Sequence, residues 1–328
     1  MNKTTGAVLA LALMGAGFAA YSEQQAKQIE TEFPPIGEFH TVSGVALHVW
    51  DSAAQRPSDA ELPAVLFIHG ASANLQDQQA IYADALDGKA RTIFVDRPGH
   101  GYSQRGQGFI GPSPQAQLLG QLLDRLQIDS AVIVGHSYGG AVAVTMALEA
   151  PDKVAGLVDI AGPTHTWDTG LDWYHDWTAP AILGPVFTRV IALPFAHLSD
   201  VMPGALRNVF GPQDVPADYR QRTAPDLALR PKPFRANSQD LDVLLAHNER
   251  VQGRYGDISA PTSIIHGDTD KTVALSLHSE KLVAQIDGAE LHVLPGIGHK
   301  PDWVARDVVL REIKRVAEAA GMELSAAN

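Results

Sequence analysis

Cysteine is absent from the 328 residues, which excludes disulfides, thiolate nucleophiles, zinc ribbons and Cys-ligated clusters together. Basic residues are scarce, with 25 Lys and Arg against 37 Asp and Glu and a formal charge of −12. A field of that sign repels phosphate backbones and anionic lipid heads, so no nucleic-acid partner is expected. Charged residues make up only 19% and hydrophobic ones 45%, which excludes a disordered chain and a coiled coil. Internal repeats and low-complexity tracts are missing, so the 29 Gly and 21 Pro read as the turns of a globular protein. Long apolar runs are missing too, with one exception from Ala7 to Ala20, 14 residues against the roughly 20 that span a bilayer comfortably.

That run follows Lys3 and ends at Tyr21-Ser22-Glu23-Gln24-Gln25, the pattern of an export segment. Gly17 and Ala19 supply small residues at the −3 and −1 positions of a cut after Ala19. Residues 1–20 are thus expected to be a signal peptide, or an N-terminal anchor with membrane attachment through residues 7–20 if uncleaved. The chain is then exported, periplasmic or secreted, or membrane-anchored. A plain buried helix is the remaining reading.

Beyond Ile36 the sequence alternates short strands and helical patterns. An early strand is expected at Val45–Trp50 and a loop over Asp51–Pro63. The continuous apolar runs Ala64–Ile68, Thr92–Val95, Ala131–Val134 and Gly156–Val158 suit parallel strands buried on both faces. Helical stretches such as Gln115–Leu126 and Ala141–Glu149 lie between them, which implies an α/β fold with a doubly wound, mostly parallel sheet. After Gly162 the alternation stops for about 95 residues of aromatic and Pro-rich sequence with amphipathic segments such as Leu241–Val251. Strands resume at Thr262–His266 and Leu291–Leu294, and a helix over Asp307–Ala319 closes the chain. The expected organisation is a core of residues 36–162 and 258–322 with an inserted helical cap or lid at 163–257.

Gly135-His136-Ser137-Tyr138-Gly139-Gly140 sits between a buried strand and an Ala-rich helix and matches G-x-S-x-G. A Ser at a sharp strand-to-helix turn needs small residues two before and two after it, because strand and helix nearly collide there. The turn exposes the Ser137 hydroxyl and places the Tyr138 amide at a helix N-terminus, suited to an oxyanion. The glycines do not follow G-x-G-x-x-G, so a dinucleotide site is excluded.

With these segments the chain resembles the α/β-hydrolase fold family, in its serine-nucleophile branch, over roughly residues 36–320. The resemblance implies that Ile68-His69-Gly70-Ala71-Ser72 is the loop whose Ala71 amide is the second oxyanion donor beside Tyr138. It implies the chain order Ser, acid, His, and so His299, in Gly296-Ile297-Gly298-His299, as the base that takes the Ser137 proton. His136, His165 and His175 lack that position, and His100 precedes the nucleophile. Asp270, in His266-Gly267-Asp268-Thr269-Asp270, matches the family acid. Asp268 is read as a loop-capping residue. Asp159 is a third candidate acid, expected to be hydrogen-bonded near the site or to lie at the open end of its strand. Asp96-Arg97-Pro98-Gly99-His100 is expected to shape the rim without doing chemistry.

A Ser nucleophile rules out the alkyl-enzyme chemistry of relatives with Asp at the elbow and points to an acyl-enzyme. The expected function is a cofactor-independent serine hydrolase, a carboxylic ester hydrolase first, because an alkoxide leaves more easily than an amine or a carbanion. C–C bond hydrolysis, perhydrolase-type chemistry with the same triad and a non-catalytic binding member are the alternatives. His69, Trp167 and Trp173 are expected to bind substrate, with Tyr174 and Trp177 also over the pocket, favouring a small, apolar ester. Arg230, Lys232 and Arg235 read as a solvated or lid-to-core patch rather than an anion site. No metal site is expected, since His165 and His175 form no i, i+4 pair.

Overall fold

The computed structural model describes residues 3–55, 63–168 and 173–322. Eight strands, β1 Glu38–Val42, β2 Val45–Asp51, β3 Ala64–Ile68, β4 Arg91–Val95, β5 Ala131–His136, β6 Val154–Ile160, β7 Thr262–Gly267 and β8 Glu290–Leu294, form one sheet in the order β1-β2-β4-β3-β5-β6-β7-β8. Pairing is antiparallel from β1 to β2 and from β2 to β4, and parallel from β4 through to β8. β1 is the strand that the sequence did not announce. It lies at the edge, mostly exposed, and so has no apolar run to mark it. The tight turn Ser43-Gly44, with φ of 47° and 76°, folds it back onto β2. Ser52–Gln55 is a short helix, and the rest of the expected 51–63 loop falls mainly at 56–62, outside the described residues.

The central strands bury both faces. Leu66, Ile68, Ile133, Leu157 and Ile264 pack with the helices Pro112–Arg125 and Tyr138–Glu149. Val65, Phe67, Val134, Val158 and Ile265 pack on the other side with the helices Gln76–Tyr82 and Arg306–Ala319. Among the described residues, everything between β6 and β7 is helical or irregular, including the helices Val201–Phe210 and Pro231–Val251.

Residues 3–32 form one helix that passes the expected cut after Ala19 without a break. Among the described side chains of this helix, none from residue 5 to residue 20 is buried. Its second half packs on the helical insertion through Ile29, with Phe33 just beyond, against Leu193, Ala224 and Leu227. Glu23–Arg189 (2.8 Å), Glu30–Arg230 (2.7 Å) and Glu32–Arg220 (2.6 Å) add ion pairs along the same contact. The Tyr102 hydroxyl donates to the Phe33 carbonyl at 2.5 Å. Arg230, over the Tyr102 ring, also donates to the Gly101 carbonyl, so this basic residue ties the insertion and the N-terminal helix to the core.

Near the C-terminal end of β6, Asp159 is fully buried against Gly140 and Gly162, where an added Cβ would come within 2.2 Å and 2.1 Å of its Oδ1. Neither oxygen makes a well-formed hydrogen bond among the described residues, although the Gly162 amide approaches the carboxyl, so of the two expected placements the strand end is the one observed. Burial pushes its pKa up to about 7, against weaker opposing pulls from His266 and the Gly162 amide. The fold therefore holds a proton that the unfolded chain releases near pH 4. The contribution of Asp159 to stability falls as pH rises from about 4 to about 7 and levels off above. In thermal melts, Asp159→Asn is expected to remove that slope, with its advantage over the natural chain growing through this window. Parallel pH profiles for the two proteins would contradict the assignment.

Candidate active site

Ser137 lies between β5 and the helix Tyr138–Glu149, with φ 53° and ψ −124°, a conformation costly for a residue with a Cβ. Packing enforces it. A Cβ at Gly135 would lie 2.2 Å from the Gly139 carbonyl, and one at Gly139 would lie 2.0 Å from the Ile68 carbonyl. The Ser137 amide donates to the Ile160 carbonyl at 2.8 Å, fixing the turn to β6. Tyr138 opens the helix, so its amide has no acceptor within the helix. Gly70 passes so close that its Cβ would meet the Ser137 Cβ at 3.1 Å, which brings the following Ala71 alongside.

The loop after β8 carries His299 and the loop after β7 carries Asp270. His299 Nε2 lies 2.9 Å from Ser137 Oγ, and His299 Nδ1 lies 2.6 Å from Asp270 Oδ2. Asp270 Oδ1 accepts the amides of Thr272 (2.7 Å) and Val273 (2.9 Å). Burial would raise the Asp270 pKa, but hydrogen bonds from His266 and His299 outweigh it and hold the carboxyl well below the usual range. Asp270 is therefore an anion at neutral pH and accepts the Nδ1 proton, which leaves Nε2 free to accept from Ser137. His266 faces two acceptors from Nε2, the Val273 carbonyl at 2.9 Å and Asp270 Oδ2 at 3.2 Å, so it donates there and accepts the Ser279 hydroxyl at Nδ1.

The other residues named from sequence separate. Asp268 Oδ1 accepts the Gly296 amide at 2.7 Å, a loop bond as expected. His69 is corrected: it is fully buried, its Nδ1 donates to the Gly70 carbonyl and its Nε2 accepts the Arg97 amide, so it braces the loop and does not line the cavity. Trp173 is corrected too. It is 67% exposed and outside the cavity lining, while its successors Tyr174 and His175 face in, as does Trp167. His100 is buried beside Arg97, away from the serine.

Three braces gave no clear sequence signal. Arg97, fully buried, donates to Asp240 (2.8 Å), Gln115 (3.0 Å) and the carbonyls of His69 (2.9 Å) and Gly70 (3.1 Å). His136 Nε2 donates to the His299 carbonyl at 2.8 Å, and burial pushes its pKa down to about 4, so it stays neutral. Lys300 sits between Asp77 (2.7 Å) and Asp302 (3.1 Å), and Asp77 also accepts the Tyr219 hydroxyl of the insertion (2.8 Å). Asp77, His136 and Asp302 could hold a metal ion by their spacing, but the Lys300 ammonium takes the cation position between the two carboxylates. The group Glu290, His292 and Glu312 is likewise met by Arg315.

A cavity of about 840 Å³ opens over Ser137 and His299. Ser137, His299, Ala71 and Tyr138 line one side. Trp167, Met202, Leu206, Val209, Leu241 and Leu244 line the side formed by the insertion.

Gly139→Ala is expected to lower stability by about 3 kcal/mol or to prevent folding, measured by denaturant unfolding, since backbone must move. Lys300→Met is expected to cost about 3–5 kcal/mol, because it strands two buried carboxylates. A Lys300→Met chain as stable as the natural one would show that Lys300, Asp77 and Asp302 are not held as charges.

The alpha/beta hydrolase fold family matches residues 63–304. The chain is 28% identical over 259 residues to a 2-hydroxy-6-oxo-6-phenylhexa-2,4-dienoate hydrolase of Comamonas testosteroni, covering 74% of this chain and 84% of that one. In fold it is similar to the enol-lactonase of Burkholderia xenovorans LB400, with TM-score 0.66 and 19% identity over 86% of this chain and all of that one. A thermophilic esterase of Thermogutta terrifontis gives TM-score 0.66 and 18% identity over 87% of this chain and 99% of that one. With the sheet order, the elbow and the family match in agreement, the chain belongs to the alpha/beta hydrolase fold family and is a hydrolase of that fold.

Proposed function

We propose that this protein is a serine hydrolase that cleaves carboxylic esters with an apolar acyl or alcohol part through an acyl-enzyme on Ser137. The observation that carries the reading is the 2.9 Å contact from Ser137 Oγ to His299 Nε2, backed by Asp270, at the floor of the cavity. His299 takes the hydroxyl proton as Ser137 attacks the carbonyl carbon. The amides of Tyr138 and Ala71 receive the charge that forms on the carbonyl oxygen. His299 then gives its proton to the departing alkoxide, and water attacks the acyl-enzyme by the same route in reverse. None of these steps calls for a cofactor.

A second reading is C–C bond hydrolysis, favoured by the name of the Comamonas testosteroni relative. A dienoate carries a carboxylate, which asks for a cation. The lysines on the lining are Lys271, which is exposed, and Lys300, which is tied to Asp77 and Asp302. The apolar wall suits an uncharged ester better. The insertion, which roofs the cavity, is assigned the part of a lid.

A fluorophosphonate probe is expected to label Ser137 once per chain by peptide mapping, with no label on Ser137→Ala and little on His299→Ala. With p-nitrophenyl esters, Ser137→Ala is expected to lose about 10⁶-fold in kcat and Asp270→Asn about 10⁴-fold, while Asp159→Asn keeps natural turnover. A folded protein that resists the probe, or one that cleaves a 2-hydroxy-6-oxo-dienoate faster than any ester, would overturn the ester assignment.

A further inference from the structure

Fourteen of the 21 exposed large apolar side chains among the described residues fall in two neighbouring places. Six are on the first turns of the N-terminal helix: Val8, Leu9, Leu11, Leu13, Met14 and Phe18. The other eight lie between Trp173 and Leu198, a stretch whose second part, residues 188–198, packs against this helix. Ser22, Tyr21 and Gly15 fix the crossing, through the Arg189 carbonyl, the His197 ring and Val190. The helix reaches beyond that crossing without a covering layer.

At 100° per residue, the six helix side chains point to every side of the axis rather than to one stripe. A partner protein's groove covers a stripe. An environment that is apolar around the whole circumference is the hydrocarbon of a bilayer. At 1.5 Å per residue the uncharged stretch 7–20 is about 21 Å long, against a core of roughly 30 Å, and among the described residues no helix is long and apolar enough to cross a membrane. On the insertion, Ile191, Phe195 and Leu198 share one face by their spacing, and the exposed Trp173 and Trp177 both pack on Phe187. Exposed Trp beside aliphatic side chains is the composition found at the membrane interface.

We infer that the protein docks on a lipid bilayer, with residues 7–18 of the N-terminal helix sunk into one leaflet and the 173–198 segment of the insertion resting at the interface. Net charge does not drive this attachment, since the chain is acidic; the apolar surface does. Trp173 is followed directly by the cavity-lining Tyr174 and His175, so the docked segment continues into the cavity wall. Bilayer-dissolved esters then reach Ser137 without crossing bulk water, a consequence that rests on the ester reading. The docking does not depend on it.

The test is flotation of the full chain, its intact mass verified, with phosphatidylcholine vesicles at low and high salt, scored separately from fluorophosphonate labelling. The natural chain is expected to float at both salt concentrations. Leu11→Asp with Leu13→Asp should weaken flotation by about tenfold or more, and Phe195→Ser with Leu198→Ser should weaken it measurably, each with labelling of Ser137 unchanged. A full chain that stays in the dense fraction, or floats equally well without residues 1–19, overturns the inference. So does a soluble dimer that these substitutions dissociate and that ignores vesicles. Loss of labelling with flotation intact would instead strike the ester reading alone.

Discussion

The site depends on one steric pinch: Gly139 against the carbonyl of Ile68, with Gly135 against the carbonyl of Gly139. Strand β5 and the helix after it approach until no side chain fits between them. Ser137, caught between, is forced to positive φ and pushed out toward the cavity. The strain is held by the buried sheet on both sides, where Ile133, Val134, Leu157 and Val158 are fully covered. Nothing in the hydroxyl itself sets its position; the absence of two Cβ atoms does.

Around that pinch the molecule keeps charges where water does not reach. Arg97 and Asp240, Lys300 with Asp77 and Asp302, and Asp96 with His48 are all buried. Two of these groups are also tied to backbone: Asp96 accepts the amides of Leu75 and Tyr102, and Arg97 donates to two carbonyls of the His69 loop. Such groups specify loop positions more than they add stability, since desolvation opposes them. Asp159 shows the alternative outcome, a buried carboxyl without a counter-ion, whose affinity for its proton burial raises.

The sheet was legible because its central strands are uninterrupted apolar runs, and the elbow because its glycines are a steric necessity. Ser137, Asp270 and His299 could be named because each follows a strand at the end where loops gather. The edge strand β1 escaped because it is mostly polar, and the helical packing of residues 21–33 escaped because it is fixed by partners more than 160 residues away, such as Arg189 and Arg230. Local sequence does not carry such pairings. For the same reason Trp173 and Tyr174 were indistinguishable as cavity residues, since neighbours in a short irregular segment can face opposite ways. His69 looked like a substrate contact because its loop is at the site, yet its ring is spent on Arg97 and Gly70.

The two ends of the insertion are fastened differently from its middle. The long helix 231–251 holds Arg97 through Asp240, and Asn248 and Gln252 grip the backbone at residues 163–166. Swinging that helix away would strand a buried guanidinium and release the loop beside the serine. The stretch from Trp173 to Phe210 carries no comparable buried ion pair among the described residues. The helix 231–251 is thus the frame on which the loop beside the serine depends, whereas the stretch between residues 173 and 210 is held by apolar packing and by the Arg189–Glu23 ion pair at the surface.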